Sequence, residues 1–242
     1  RQIEPLRGKL VELPDDGLDW GAYFRIAPML DQDFLCFVNS HSRALADGWL
    51  DALASAADAA GIGAVGATGS WGTFARRPGE LVAELMRRAG DHGAPGDARA
   101  GAGRGAGARL VSAAQSAFLD PFDFPYFPNP HLRSNAFLTR RDLFLQFARS
   151  SPPIRGKRDT HRLESGRRGF SRFLRARGLA IAVVGADRCA YGEREWPASR
   201  TFRTPDHGNL LVADRQSDAY DAAPLPVRRI AERIAWGRSL TP

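Results

Sequence analysis

Phe34-Leu-Cys-Phe-Val38, followed by the polar tip Asn39-Ser-His-Ser42, decides the fold class. An apolar run that stops at a polar cluster reads as a buried strand ending in a loop at its carboxyl end. Downstream, Asp47 to Ala60 carries Trp49, Leu50 and Leu53 at helical spacing, with Gly61 as a stop. Ile62 to Ala67 is the next apolar strand, closing at Thr68-Gly-Ser70. The unit is strand–helix–strand, which predicts an α/β fold with a mostly parallel sheet flanked by helices. Ligands of open α/β sheets sit outside the carboxyl ends of strands. Asn39, Ser40 and His41 therefore stand where a small polar ligand would be held.

Upstream, Lys9 to Leu13 reads as a short strand, Asp15-Asp-Gly17 as a turn, and Trp20 to Leu30 as a helix capped by Asp19. The chain opens at Arg1 in a charged stretch, and the expectation is that part of the N-terminus precedes it. Leu81 to Arg88 reads as helical, and residues 90–108, rich in Gly, Ala and Arg, as a flexible surface loop. Phe118 to Pro130 sets five aromatics among prolines and reads as an aromatic loop or extended lid. His131 to Leu138 is a candidate strand and Arg140 to Arg149 a helix capped near Thr139. Glu164 to Arg177 is expected to be helical in part, ending at Gly178. Leu179 to Val184 is a further buried strand and Pro226 to Trp236 a terminal helix. One domain spans residues 1–242, with a core at 17–184 and an extension from 187 onward.

The chain has 242 residues, 43% of them hydrophobic, enough for a sizeable core and against wholesale disorder. No apolar run approaches the roughly 20 residues that span a bilayer. Cys36 and Cys189 lie in or beside apolar runs and read as buried free thiols of a reducing compartment. The net charge of +7 is carried almost wholly by arginine, since Lys9 and Lys157 are the only lysines. Such a surface serves nucleic acid, an anionic membrane face or phosphate-bearing substrates. No helix-turn-helix, zinc or stacking-strand pattern supports nucleic acid as the partner.

The order of these pieces resembles a bacterial GT-A glycosyltransferase of the family-2-like and rhamnan-synthesis-like kind. Five segments carry the resemblance: Gly17-Leu-Asp-Trp-Gly-Ala-Tyr23; Phe34 to Asn39; Gly48 to Leu50 with Gly63 to Thr68; Asn135-Ala-Phe-Leu-Thr-Arg-Arg-Asp142; and Glu164-Ser-Gly166 with Arg177-Gly178. It implies a GT-A-like (Rossmann-like) fold and transfer of a sugar from a nucleotide sugar to a polysaccharide or lipid-linked acceptor. It also implies a cytoplasmic protein, with the inner face of the cell membrane as a place of work in building the cell envelope. The family's Asp-x-Asp motif, which holds a divalent cation on the donor diphosphate, is replaced here by Asn39-Ser40-His41. A magnesium or manganese cofactor would then fall to His41, whose imidazole suits manganese better than magnesium. The missing acidic pair keeps open an alternative, a non-catalytic module that binds a sugar nucleotide or a glycan.

Within that resemblance Glu164 is the general base, with Asp159 as second candidate; otherwise Glu164 is a solvated glutamate at a helix N-terminus. Asn39, Ser40 and His41 face the donor, or form a capped loop. Asp19 contacts the nucleotide's base or ribose, or caps its helix. Arg133 and Asn135 line the acceptor cleft. Phe124, Tyr126 or Trp71 stack on a sugar face, or simply pack. The arginines from Arg155 to Arg177 bind phosphate or form a solvated face.

Overall fold

The computed structural model describes residues 8–14, 16–75 and 121–241. The expected helix at Leu81 to Arg88, the 90–108 loop and Phe118 lie outside them. Five strands make the main sheet: β1 (Phe34–Val38), β6 (Ala136–Arg140), β3 (Ile62–Gly66), β7 (Ala180–Val184) and β8 (Ala190–Gly192), in that spatial order. Two small ladders complete the strands. One joins β2 (Arg43–Ala44) to β9 (Val212–Ala213), the other β4 (Gly69–Ser70) to β5 (His131–Leu132).

The fold is mixed α/β, but the sheet is not mostly parallel. Among the described residues only β3 and β7 pair in parallel; β1–β6, β6–β3 and β7–β8 are antiparallel. The reason is the path into β6. The β4–β5 ladder brings the chain back to the end of the sheet where β3 left it, so β6 runs the opposite way to β3. The apolar run that forms β6 looks the same in either direction, so its composition carried no sign of this. The same ladder splits the expected strand from His131 to Leu138 in two, with Arg133 to Asn135 between the halves. β1 is the outer strand of the sheet as described, with Phe34 and Val38 exposed at its ends, while Leu35 and Phe37 face one core and Cys36 the other.

Alternation along the strands feeds two cores. Leu35, Phe37, Phe137, Ile181 and Val183 face an aromatic cluster centred on Trp20. Around it stand Phe144 and Phe147 of α3 (Arg141–Ser150) and Phe170 of α5 (Phe170–Arg175). Val65, Leu138, Ala182 and Val184 face Leu53 of α2 (Trp49–Ala57) on the other side. The sheet is thus a layer between helices. Residues beyond 187 are part of this body: Trp196, Phe202 and Trp236 belong to the aromatic core. Gly69 is required by close packing, because a Cβ there would meet the Trp196 ring at 2.6 Å.

Several local expectations shift. Lys9 to Leu13 forms no strand. α1 (Leu18–Ile26) starts after Gly17 at φ 79°, so Asp19 lies in its first turn and is not the cap. A 3-10 turn, Ala27–Met29, ends that helix early, at Pro28. Thr139 does not cap α3; its hydroxyl donates to the Gly63 carbonyl at 2.7 Å. Cys189 is exposed, while Cys36 is half-buried and burial pushes its thiol up to about 12.

The last helices, α6 (Arg215–Ala222) and α7 (Leu225–Trp236), are tied by one carboxylate. Glu232 is fully buried and accepts from the Tyr220 hydroxyl (2.5 Å), the Ser239 hydroxyl (2.7 Å) and the Leu240 and Thr241 amides (2.7 and 2.9 Å). Burial alone would raise this carboxyl. The Thr241 and Tyr220 bonds win and hold it down at about 2, against an ordinary 4.5. The stabilisation is therefore complete above pH 4.5 and is lost as the pH falls towards 2, about 3 kcal/mol in all. Glu232→Gln is expected to remove that component, and denaturant unfolding of both proteins across this window measures the difference.

Candidate functional site

At the end of the sheet where β1 and β3 finish and β6 begins, the polar segments come together. The Asn39 amide donates to the Asn135 carbonyl at 3.2 Å, and the Ser42 hydroxyl reaches the same oxygen at 2.5 Å. Next to Asn135, the Ser134 amide donates to Glu164 Oε1 at 3.1 Å and its hydroxyl lies 3.4 Å from Oε2. The tip after Val38 and the Glu164 carboxylate thus sit on the same end of the molecule, joined through Ser134 and Asn135.

Glu164 belongs to α4 (Lys157–Ser165), as its penultimate residue. It is not at a helix N-terminus, where the dipole would favour its charge; it is in the last turn, where the dipole opposes it. The side chain is half-buried. Burial raises its carboxyl above the ordinary glutamate value, and the opposing pull of Arg133, Ser134 and His161 does not cancel the rise. It lines a cavity of 270 Å³ with Ser70, Thr73, His131, Arg133, His161, Arg203 and Gln216.

The cavity's charges have unequal partners. The Arg133 side chain, 9% exposed, donates to Asp214 Oδ2 at 2.5 Å and to Thr68 Oγ1 at 3.3 Å. Its guanidinium lies 4.2 Å from the centre of the Phe202 ring, and Arg203 lies 5.0 Å from the same ring. Asp214 also caps α6, accepting from the Gln216 and Ser217 amides at 2.9 Å each. Burial would raise this carboxyl, but Arg133 and the capping amides hold it below its ordinary value. Among the described residues Arg203 has no carboxylate within ion-pair distance. It donates to Ala231 O at 3.3 Å and Gln216 Oε1 at 3.2 Å. Burial, with the neighbouring Arg133 charge, pushes it down to about 10, so it stays cationic at neutral pH.

His131 is 9% exposed, and burial pushes it down to about 4. It is neutral at pH 7. Its Nδ1 lies 2.8 Å from the Asn129 carbonyl, so Nδ1 carries the proton and Nε2 is left as an acceptor.

The other expected site residues divide. Asp19 is half-buried; burial raises its carboxyl against the pull of His41. Tyr23 ties it to the site: burial, with the charges of Asp19 and Glu164, raises its phenol, which donates to the Ser134 carbonyl at 3.4 Å. Ser40 and His41 are exposed on the tip. Asn135 is buried and already engaged, accepting from Thr68 Oγ1 at 2.6 Å and donating to Val212 O at 3.5 Å, so it positions the loop. Asp159 lies outside the cavity lining and accepts from the Arg155 amide at 2.9 Å and Arg162 at 2.7 Å. The Arg155 amide leads in holding it below its ordinary value, a poor setting for a base. Tyr126 is exposed and outside the lining. Phe124 and Trp71 pack, against Phe74 and Trp236 respectively.

At the tip, Asn39 Oδ1 accepts from the His41 amide at 3.0 Å, and the Ser42 hydroxyl lies 2.9 Å from it while its one proton also faces the Asn135 carbonyl at 2.5 Å. Among the described residues, no group of three or more His, Cys, Asp or Glu side chains is gathered as a metal site needs.

A larger hollow, 580 Å³, opens at the far end of the sheet among Asp33, Arg140, Arg141 and Asp142. Arg140 there is paired with Asp142 at 2.8 Å, and both side chains are half exposed. Size favours that hollow, but the perturbed acid, the neutral histidine and an arginine without an ion-pair partner among the described residues favour the smaller cavity.

Sequence reading missed Arg203, Asp214 and Gln216, which sit in the stretch after 195. One signal was there: Asp214-Arg-Gln-Ser217 is a capping-box pattern, which marks a helix start and a carboxylate with fixed orientation. Comparison of the chain with family models, with curated proteins and with solved structures gives no match.

Proposed function

We propose that this chain is a glycosyltransferase that moves a sugar from a nucleotide-sugar donor to a polysaccharide or lipid-linked acceptor. One observation carries the reading: Glu164, a carboxylate of raised proton affinity, lines a 270 Å³ cavity together with Arg203, which among the described residues has no carboxylate within ion-pair distance. A raised pKa makes the ionised carboxylate a stronger base. Glu164 would take the proton of an acceptor hydroxyl as that oxygen attacks the anomeric carbon. The bond from that carbon to the donor diphosphate breaks, and the diphosphate leaves with the electron pair. Arg203 is placed to offset the charge that develops on it, since Arg133 is already neutralised by Asp214. Asn39, Ser40 and His41, outside the cavity lining but on the same end of the sheet, would meet the donor, with Asp19 towards its ribose.

The resemblance to GT-A enzymes supports the same reading through the order of its segments. It also supports a cytoplasmic site of action at the inner membrane face. Among the described residues no helix is long and apolar enough to cross a membrane.

A second reading is a binding module without turnover. It is favoured by the two contacts from Ser134 that already engage the Glu164 carboxylate.

The test is a panel of uridine, guanosine and thymidine diphosphate sugars, with manganese and with chelator, read as release of nucleoside diphosphate. Turnover with at least one donor is expected. Donor binding without release would select the binding module, and neither binding nor release would overturn both readings.

A further inference from the structure

We propose that His207 is a positioning residue: its ring fixes the backbone of Arg203, and so sets how tightly the cavity takes a diphosphate. This role rests on the reading of that cavity as the donor site. Among the described residues, five residues other than glycine have left-handed φ, and three of them, Arg200, Arg203 and His207, fall within 200–207. Such a backbone is costly for a residue with a side chain, so surrounding contacts must hold it. At Arg200 the holder is Asp206, whose carboxylate accepts from the Arg200 Nε at 3.1 Å and from a terminal guanidinium nitrogen. At Arg203, φ 45°, the holders are two rings. The Arg203 amide donates to His207 Nε2 at 2.9 Å, and its carbonyl accepts from the Trp236 indole at 3.1 Å.

The ring is itself fixed from the other side. His207 is buried, and its ring lies 4.9 Å from that of Tyr220. An amide N–H can only donate, so Nε2 is bare in this geometry and Nδ1 carries the proton. Nδ1 lies 2.8 Å from Asp221 Oδ1. Tyr220 and Asp221 both belong to α6, so the imidazole links that helix to the Arg203 backbone.

The far end of Arg203 lines the cavity, with Gln216 beside it. Its guanidinium donates to Gln216 Oε1 at 3.2 Å and to Ala231 O at 3.3 Å, both neutral acceptors. Its charge is thereby kept for an anion that enters the cavity. These side-chain bonds are long, so the direction of the guanidinium depends on the backbone behind it. Without an acceptor for its amide, residue 203 would relax towards ordinary negative φ, and the guanidinium would swing away from Gln216.

The experiment is titration calorimetry of the full chain with inorganic pyrophosphate, on native protein, His207→Asn and His207→Gln. Asn tolerates left-handed φ and its amide can still donate to Asp221, but it is too short to accept from the Arg203 amide. Gln is long enough to set its Oε1 where Nε2 stands, at a φ that suits it less. Fit to the backbone therefore ranks Asn above Gln in melting temperature, whereas control of Arg203 ranks Gln above Asn in pyrophosphate binding. The native chain is expected to bind saturably, His207→Asn about tenfold more weakly, and His207→Gln to recover to within about threefold of native. In an Arg203→Ala chain, adding His207→Asn should change binding less than about twofold, because the ring then has no guanidinium to place. Binding unchanged by His207→Asn, equal losses from Asn and Gln, or the same tenfold loss in the Arg203→Ala chain would each overturn the role of His207 and leave the reading of the cavity standing. A native chain that binds no pyrophosphate would overturn both.

Discussion

Glu164→Gln is expected to reduce turnover about 10²- to 10⁴-fold while leaving nucleoside diphosphate binding within about threefold of native. The substitution keeps the shape of the side chain. A carboxamide oxygen can still accept from the Ser134 amide, now 3.1 Å from Oε1, so the turn before β6 should stay in place. What is lost is the site that receives a proton. The pH profile separates this role from a structural one. Burial raises the Glu164 carboxyl, so activity in the native protein should fall on the acid side through a limb above the ordinary glutamate value. The limb is absent from the residual activity of the variant. Stability should move the other way. A carboxyl raised by folding is less easily ionised in the native state than in the unfolded chain, so it lowers stability once the pH exceeds its unfolded value. Glu164→Gln should then be at least as stable as the native protein at pH 7, measured by denaturant unfolding. A glutamate that served only to hold Ser134 would show the opposite, a less stable protein with an unchanged acid limb.

The legible part of the fold is the part written in local pattern. Phe34–Val38 stops where the apolar run stops, and α7 begins within a residue of the expected position. Strand direction was not legible, because β6 is oriented by the ladder between Gly69–Ser70 and His131–Leu132, whose closest pair, Ser70 with His131, is 61 residues apart in sequence and adjacent only in space. Glu164 was found as a residue, but its setting was misread. Reading a partly helical stretch from Glu164 to Arg177 put it at a helix start, whereas α4 runs from Lys157 to Ser165 and Glu164 is in its last turn. Arg203 and Asp214 escaped for a different reason: each matters through Arg133, from which it is separated by 70 and 81 residues.

The pair Arg133–Asp214 is where stability and the proposed chemistry meet. Asp214→Ala is expected to cost about 3–5 kcal/mol, because it leaves a guanidinium buried without its counter-charge. The loss of the cap on α6 adds about 1 kcal/mol. Asp214→Asn distinguishes the two contributions. Its carboxamide oxygen can keep the bonds from the Gln216 and Ser217 amides, so helix capping survives and only the ion pair is lost. Urea unfolding of the two variants therefore ranks them, with Asn between Ala and native. The same replacement should reach Glu164. Arg133 pulls the Glu164 carboxyl down, and Asp214 now offsets part of that positive charge. With Asn at 214 the pull is stronger, so the acid limb of activity should move to lower pH. Arg133→Met removes the pull, and the limb should move to higher pH. Opposite shifts from the two partners of one ion pair are what electrostatic control of the base requires. Shifts in the same direction, or none, would mean that Arg133 and Asp214 serve only to fasten α6 to the end of the sheet.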